Sequence, residues 1–130
     1  MTHLVGLPDT ISSALVDAVE CHEDVRYVPV TREGEAFAVA AGLWVGGAEP
    51  VVVIQNTGLL ESGDSLRGTA VRMGVPLLCL ITYRGYGTMA AVGLEPRSDA
   101  LERSALVRPD VDTTALLTEP TLRTWEVPTA

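Results

Sequence analysis

The sequence is poor in cysteine, in basic residues and in long apolar runs, and each shortage excludes a class of protein. Its two cysteines, Cys21 and Cys79, do not make a disulfide framework and lack the spacing of a zinc site. Nine basic residues stand against 17 acidic ones, a formal net charge of −8, which argues against nucleic acid or an anionic membrane as partner. Neither a membrane span nor a signal peptide is visible, so we expect a cytoplasmic protein.

The chain does carry enough apolar residues to form a core. It has 130 residues, of which 47% are hydrophobic, and we expect one domain over residues 1–130. Apolar strand patterns alternate with helical ones, which predicts an α/β fold with three layers, α/β/α, around a mainly parallel sheet. A short strand is predicted to end at Leu4 to Gly6. Three further strands are predicted at Val25 to Val30, Pro50 to Gln55 and Pro76 to Thr82, and the last two of these are expected to be buried.

Helices are predicted between these strands. The first is capped by Asp9 or Thr10, and the second runs from about Arg32 to Val45 and ends at Gly46-Gly47. The polar stretch from Asn56 to Gly63 is predicted to be a loop. Further helices are predicted at Ser65 to Met73 and Thr113 to Trp125.

Ligands of open parallel sheets bind at the carboxyl ends of the strands. Four segments follow those ends: Gly6 to Thr10, Thr31 to Glu35, Gln55 to Leu60 and Tyr83 to Gly87. The second segment places Glu33 and Glu35 at the start of a helix rich in small residues. A carboxylate there complements the helix dipole, so spacing alone leaves a stabilising role and a catalytic role both open.

Stretches of all four segments carry a family resemblance, in the same order along the chain. They are Gly6 to Thr10, Val28 to Ala36, Gln55 to Leu59, and Pro76 to Leu78 continuing through Tyr83 to Gly85. The chain resembles the pyrimidine-binding domain of thiamine-diphosphate-dependent 2-oxo acid decarboxylases. The resemblance is to the alpha subunit of sulfopyruvate decarboxylase and the corresponding part of phosphonopyruvate decarboxylase. Relative to that family, the chain is shortened at both ends.

The resemblance implies a role for Glu33 and for the residues after the third strand. The essential glutamate of the family precedes a helix glycine by nine positions, which matches Glu33 and Gly42. The resemblance implies that Glu33 hydrogen-bonds the N1′ nitrogen of the cofactor's pyrimidine and favours its imino tautomer. It also places Gln55, Asn56, Thr57 and Gly58 close to the cofactor. A simple turn is the alternative for Asn56 to Gly58.

Substrate residues are predicted on two loops. Pro8, Asp9 and Thr10 match the family's first strand-end loop and line the substrate entrance, although Asp9 and Thr10 equally serve as helix caps. Arg84 and Arg32 attract an anionic substrate tail or, alternatively, lie on solvated loops.

The diphosphate-binding half of such an enzyme is missing from the sequence. That half carries Gly-Asp-Gly followed later by Asn, and the nearest match, Gly63-Asp64-Ser65, lacks the second glycine and the asparagine. We therefore expect no metal site on this chain. The resemblance implies a partner beta subunit that holds Mg²⁺ and the diphosphate, in a heterotetramer of two copies of each chain.

The predicted reaction is non-oxidative decarboxylation of a 2-oxo acid, sulfopyruvate or phosphonopyruvate being suggested by the family. A carboligase subunit is one alternative, because an acceptor carbonyl compound diverts the same chemistry. A subunit without catalysis, structural or regulatory, is another. A dinucleotide-binding module is disfavoured because no Gly-x-Gly-x-x-Gly follows the first strand.

Overall fold

A computed structural model of the chain describes residues 1–95 and 103–129. The chain divides into two compact units, Met1–Thr82 and Tyr83–Ala130, and each is described by itself. The single domain expected over residues 1–130 stays a prediction.

A four-stranded parallel sheet forms the centre of the first unit. Its strands are β1 (His3–Gly6), β2 (Arg26–Pro29), β3 (Pro50–Gln55) and β4 (Leu78–Thr82), in the order β2-β1-β3-β4. The short β-branched runs favour strands, and the helical connections between them make parallel pairing possible. The sheet confirms the predicted α/β class with a parallel sheet.

Helices flank the sheet and carry its core. The elements of the first unit are α1 (Ser13–Glu20), α2 (Glu33–Val45), α3 (Asn56–Glu61), and α4 (Gly63–Ser65) with the π-helical turns Leu66–Val71. Val16 and Val19 of α1 pack on Leu4, Val51 and Val53. Val5, Val52 and Ile54 alternate with those residues along the strands, so they face the opposite side. Right-handed crossovers place α2 there, with Phe37 fully buried.

The region from Asn56 to Gly63 was predicted to be a loop, and that prediction is wrong. Residues Asn56–Glu61 form α3, which begins directly at the end of β3 with Gln55 as its N-cap residue. Asn56 and Leu59 are almost fully buried, and the hydroxyl of Ser62 donates to the carbonyl of Gly58 at 2.5 Å. Burial of these residues stabilises a helix that their polar composition does not predict.

Two further details differ from the sequence prediction. The N-cap position of the first helix is Ser12, whose side chain makes no capping hydrogen bond, and the Asp9 carboxylate accepts from backbone N–H groups in the turn that leads into the helix. Strand β4 was predicted to be buried, but it is the edge strand of the sheet, and Leu78 and Leu80, which share one of its faces, are 62% and 39% exposed. Cys79 on the same strand is half-buried, and burial raises its pKa to about 11, which keeps the thiol protonated at neutral pH. The end of α2 at Gly46-Gly47 is confirmed, since Gly47 has a φ of +88°.

The second unit contains α5 (Tyr86–Ala91), a 3₁₀ helix (Arg103–Val107) and α6 (Thr113–Thr124). Its core is apolar and includes Met89, Ala105, Val111, Ala115 and Leu116. The carboxylate of Asp112 accepts from the backbone N–H of Thr114 and so caps α6. In the described residues 1–95 and 103–129, no helix is long and apolar enough to cross a membrane.

Candidate functional site

The candidate site lies at the carboxyl edge of the sheet in the first unit. Glu33 is the first residue of α2, three residues after Val30, the apolar residue that follows β2, and its side chain extends towards α3. A Cβ atom built on Gly58 would lie 2.2 Å from the Glu33 Cγ atom and 2.4 Å from its Oε1 atom. The Glu33 side chain therefore packs directly on the backbone of Gly58, in the first turn of α3.

The Glu33 carboxylate has no protein partner in the part of the chain that is described. It is half-buried, and within residues 1–95 and 103–129 it makes no hydrogen bond and no ion pair. A carboxylate that is partly removed from water retains its capacity to accept hydrogen bonds. Glu33 is thus available to a ligand at the strand ends.

Glu35, two residues further along α2, is engaged. Its Oε2 atom accepts from the backbone N–H of Thr31 at 3.0 Å and from the Thr31 hydroxyl at 3.1 Å. These hydrogen bonds, the one from the backbone N–H first, hold the pKa of the Glu35 carboxyl below its usual range. The bonds anchor the chain entering α2, in the manner of a capping box. The structure therefore separates the two glutamates that the sequence places in one helical turn.

The start of α2 is held against α3 and α4. The guanidinium of Arg32 forms an ion pair with the Glu61 carboxylate at the end of α3. A Cβ atom built on Gly34 would lie 2.9 Å from the Ser65 hydroxyl, so the two backbones approach closely. Beside this contact opens a cleft of about 520 Å³, lined by Arg32, Gly34, Ser65 and neighbouring residues. Arg32, predicted as one attractor of an anionic tail, is thus paired.

The residues after β3 differ in their exposure. The Gln55 side chain is half-buried and its Oε1 atom accepts from the Thr57 hydroxyl at 3.2 Å. Thr57 is exposed, whereas Asn56 and Gly58 are buried. A ligand at this strand end reaches the side chains of Gln55 and Thr57 directly, but it reaches Asn56 only if neighbouring atoms move. The turn considered for Asn56 to Gly58 is instead the first turn of α3.

Asp9 joins the loop after β1 to the end of β4. Its carboxylate accepts from the backbone N–H groups of Ile11 and Ser12 at 2.6 and 3.1 Å, and from the Thr82 hydroxyl at 2.7 Å. Partial burial by itself would raise the pKa of Asp9, but these hydrogen bonds outweigh it and lower the pKa. Pro8 and Thr10, on either side, are exposed.

The hydroxyl groups that donate to the carboxylates of Glu35 and Asp9 belong to Thr31 and Thr82, respectively. Neither threonine was identified as a site residue from the sequence. Thr31 carried a weak local signal, because Thr31 and Glu35 are one position further apart than the two residues of a capping box. Thr82 carried none, since its partner lies 73 positions earlier in the chain. Only the order of the strands in the sheet brings Thr82 close to Asp9.

Arg84 lies in the second unit, on the residues that lead into α5. Its Nε atom donates to the Asp112 carboxylate at 3.0 Å, and its side chain is 62% exposed. Gly85 follows with a φ of +91°, and a Cβ atom there would lie 2.8 Å from that of Asp112. A glycine at position 85 thus allows the Arg84 backbone to approach the start of α6 closely.

Within residues 1–95 and 103–129, no three carboxylate, histidine or cysteine side chains are grouped closely enough to hold a metal ion.

Comparison with known proteins gives distant relatives. No family model matches the chain. It is 35% identical over 85 residues to phosphonopyruvate decarboxylase of Streptomyces viridochromogenes, which covers 65% of this chain and 21% of the relative. It is 31% identical over 81 residues to sulfopyruvate decarboxylase subunit alpha of Methanothermobacter thermautotrophicus, 62% of this chain and 49% of the relative.

The same subunit of Methanococcus maripaludis is 33% identical over 63 residues, 48% of this chain and 38% of the relative. The chain thus spans between about a fifth and about half the length of these curated relatives. It is distantly homologous to phosphonopyruvate decarboxylase and to sulfopyruvate decarboxylase subunit alpha, which confirms the resemblance drawn from the sequence.

Proposed function

We propose that this chain is the pyrimidine-binding subunit of a split thiamine-diphosphate-dependent decarboxylase acting on a 2-oxo acid, with Glu33 as its catalytic residue. The observation that carries the proposal is the state of the Glu33 carboxylate. It is half-buried, packed on Gly58, and without a partner within residues 1–95 and 103–129, whereas Glu35 is bound to Thr31. Distant homology to two 2-oxo acid decarboxylases supports the same class of reaction.

The residues present fit an aminopyrimidine ring. Glu33 offers a carboxylate to a ring nitrogen, and Gly58 has no side chain to displace it. Gln55 and Thr57 offer an amide and a hydroxyl group at the same strand end. Such a set combines one charged group with neutral donors and acceptors, which is typical of a site that orients a polar heterocycle.

When bound, thiamine diphosphate supplies the electron sink for breaking the bond between the keto carbon and the carboxylate of the substrate. Glu33 would hold a proton at the N1′ nitrogen of the pyrimidine, from a side chain that packs on Gly58. Gln55 and Thr57 would offer their amide and hydroxyl groups to the ring from the same strand end. Asn56 lies fully buried in this first turn of α3, next to these two residues.

We propose that Mg²⁺ and the diphosphate are held by a beta subunit, in a heterotetramer or larger assembly. The support is the resemblance and the name of the relatives, since sulfopyruvate decarboxylase subunit alpha is one part of a larger enzyme. Pro8, Asp9 and Thr10 are proposed to border the substrate entrance. Arg84 is proposed to attract the second anionic group of a substrate such as sulfopyruvate or phosphonopyruvate.

The first test is calorimetric titration of thiamine diphosphate with Mg²⁺ into this chain, into the candidate beta subunit, and into their mixture. We expect binding in the mixture and none by this chain alone. Binding by this chain alone would contradict the split site, and no binding in the mixture would contradict the cofactor.

The second test is the variant Glu33→Gln in the mixture, assayed for carbon dioxide release from sulfopyruvate and phosphonopyruvate. We expect turnover to be abolished while the circular dichroism spectrum and the assembly are unchanged, because a neutral amide cannot exchange a proton with N1′. Full activity of Glu33→Gln would remove Glu33 from catalysis. Adding an acceptor aldehyde to the wild-type assay distinguishes decarboxylation from carboligation by the product formed.

A further inference from the structure

A hydrogen bond links the loop after β1 to the last residue of β4. The Thr82 hydroxyl donates to the Oδ2 atom of Asp9 at 2.7 Å, while Oδ1 accepts from two backbone N–H groups within its own loop, those of Ile11 and Ser12. The backbone N–H of Asp9 also donates to the Ser12 hydroxyl at 3.0 Å. Asp9 is therefore fixed to its own loop and, through one oxygen, to a strand 73 positions away.

This bond crosses the carboxyl end of β3. In the strand order β2-β1-β3-β4, β3 lies between the two strands whose ends are joined. Thr82 is the register partner of Gln55, and partners in a parallel pair direct their side chains to the same face of the sheet. Gln55, which is predicted to contact the cofactor, thus lies between the two ends that Asp9 and Thr82 connect.

We infer that Asp9 is a positioning residue, which holds the loop of residues 7–12 against β4 and thereby fixes the surroundings of Gln55. The inference rests on the proposed function and decides between the two roles that the sequence left open for Asp9. Its carboxylate is taken up by three hydrogen bonds and acts through the loop, so that of the three residues proposed to border the substrate entrance only Pro8 and Thr10 would face it, both being exposed. A carboxylate suits this role because it accepts all three hydrogen bonds, and a charged acceptor makes each of them stronger.

The sharpest test removes the hydroxyl of Thr82 and leaves Asp9 intact. Thr82→Val has nearly the same shape and favours a strand equally, so it deletes the hydrogen bond alone. Thr82→Ser keeps the hydroxyl and is the matched control. Both variants are studied in the complete enzyme, with sulfopyruvate and phosphonopyruvate as substrates.

For Thr82→Val we expect KM to rise about three- to tenfold, with kcat changed less than about twofold, because the loop loses its fixed position without loss of a reacting group. We expect backbone amide exchange at Ile11 and Ser12 to accelerate about tenfold, as the loop opens more often. Thr82→Ser keeps the hydroxyl group and should have the KM and the amide exchange rates of wild type. In a double-mutant cycle with Asp9→Ala, Thr82→Val should add little to the change in KM, since each variant breaks the same bond.

Two results would overturn the inference. Unchanged amide exchange in Thr82→Val would mean that the bond does not hold the loop. Faster exchange with an unchanged KM would mean that the bond is structural only. A wild-type mixture without turnover, or a fully active Glu33→Gln, would instead contradict the proposed function, and the exchange measurement reports on the loop independently of either.

Discussion

The side chain of Glu33 occupies the space that any side chain at position 58 would need. A Cβ atom at Gly58 would lie 2.2 Å from Cγ and 2.4 Å from Oε1 of Glu33, closer than non-bonded atoms approach. Gly58 does not have a positive φ, so this contact, and not backbone conformation, is the reason for a glycine here. The position of the proposed catalytic carboxylate thus depends on a residue in another element.

Gly58→Ala should therefore displace the Glu33 carboxylate. Because the atoms nearest to the added Cβ belong to the Glu33 side chain, from Cγ outwards, and not to backbone, we expect that side chain to rotate away and the fold to persist. We expect kcat to fall about tenfold or more, as misplacement of a reacting group by about 1 Å has large effects. The measurement is steady-state decarboxylation by the complete enzyme, with circular dichroism to confirm folding.

The control for this variant is Gly68→Ala. A Cβ atom on Gly68 meets nothing within 4 Å, so kcat should remain at the wild-type value. Equal losses of kcat at both positions would mean that the Glu33–Gly58 contact does not govern activity.

The sequence predicted the order of the elements well, because each element depends on its own residues. Pro50–Gln55 is a continuous apolar run, and it forms β3 with the predicted bounds. Residues Asn56 to Glu61 were wrongly predicted to be a loop, because their helix depends on burial against other elements rather than on helix propensity. Strand β4 was misread for a related reason, because its apolar composition does not reveal that it forms the edge of the sheet.

The candidate site was only partly predictable. Glu33 was named through the family resemblance, and spacing alone did not distinguish it from Glu35. The structure makes that distinction, because Thr31 donates two hydrogen bonds to the Glu35 carboxylate and none to the Glu33 carboxylate. The Asp9–Thr82 bond depends on strand order, which a local pattern does not encode.

Glu35→Gln should affect folding more than catalysis. The amide of glutamine accepts the bonds from Thr31 less strongly than a carboxylate does, so we expect a small decrease in Tm. The kcat for 2-oxo acid decarboxylation should stay within about threefold of wild type, because Glu35 is assigned to the start of α2 and not to the cofactor. Thermal unfolding and steady-state kinetics check the two expectations. Equal losses of kcat in Glu33→Gln and Glu35→Gln would mean that the register with the family is wrong.

Arg84→Ala should raise KM for an anionic 2-oxo acid more than it lowers kcat. The Arg84 side chain is 62% exposed, and an ion pair with an exposed partner contributes little to stability, while the cap that Asp112 makes to α6 stays in place, so Tm should hardly change. Arg108→Ala is the matched control, because Arg108 forms another exposed ion pair, with Asp110, in the same unit. KM values for sulfopyruvate and phosphonopyruvate decide the matter, and an unchanged KM in Arg84→Ala would remove Arg84 from substrate binding.

Gly6→Ala should prevent stable folding. A Cβ atom on Gly6 would lie 1.8 Å from the backbone carbonyl oxygen of Val53, its partner across the β1–β3 pair. Since backbone in the centre of the sheet cannot move aside, we expect a loss of more than about 3 kcal/mol in the free energy of unfolding. Gly42→Ala is the control, because nothing lies within 4 Å and alanine favours the helix. Urea unfolding measures the difference in free energy of unfolding between Gly6→Ala and Gly42→Ala. If Gly6→Ala does not fold, the soluble yields of the two variants are compared instead.

The Asp9 carboxylate should make stability depend on pH in the acid range. Its pKa is lower in the folded chain than in the unfolded chain, so the ionised form stabilises the fold. That stabilisation is fully present above the unfolded pKa of about 3.9, and it is lost as the pH falls through the lower, folded value. The asparagine side chain of Asp9→Asn does not ionise, so this variant lacks the stabilisation that the carboxylate provides. It should therefore have a lower Tm than wild type near pH 7. The difference in Tm should stay constant down to about pH 5 and narrow towards pH 3. A difference that stays constant to pH 3 would mean that Thr82, Ile11 and Ser12 do not favour the ionised carboxylate.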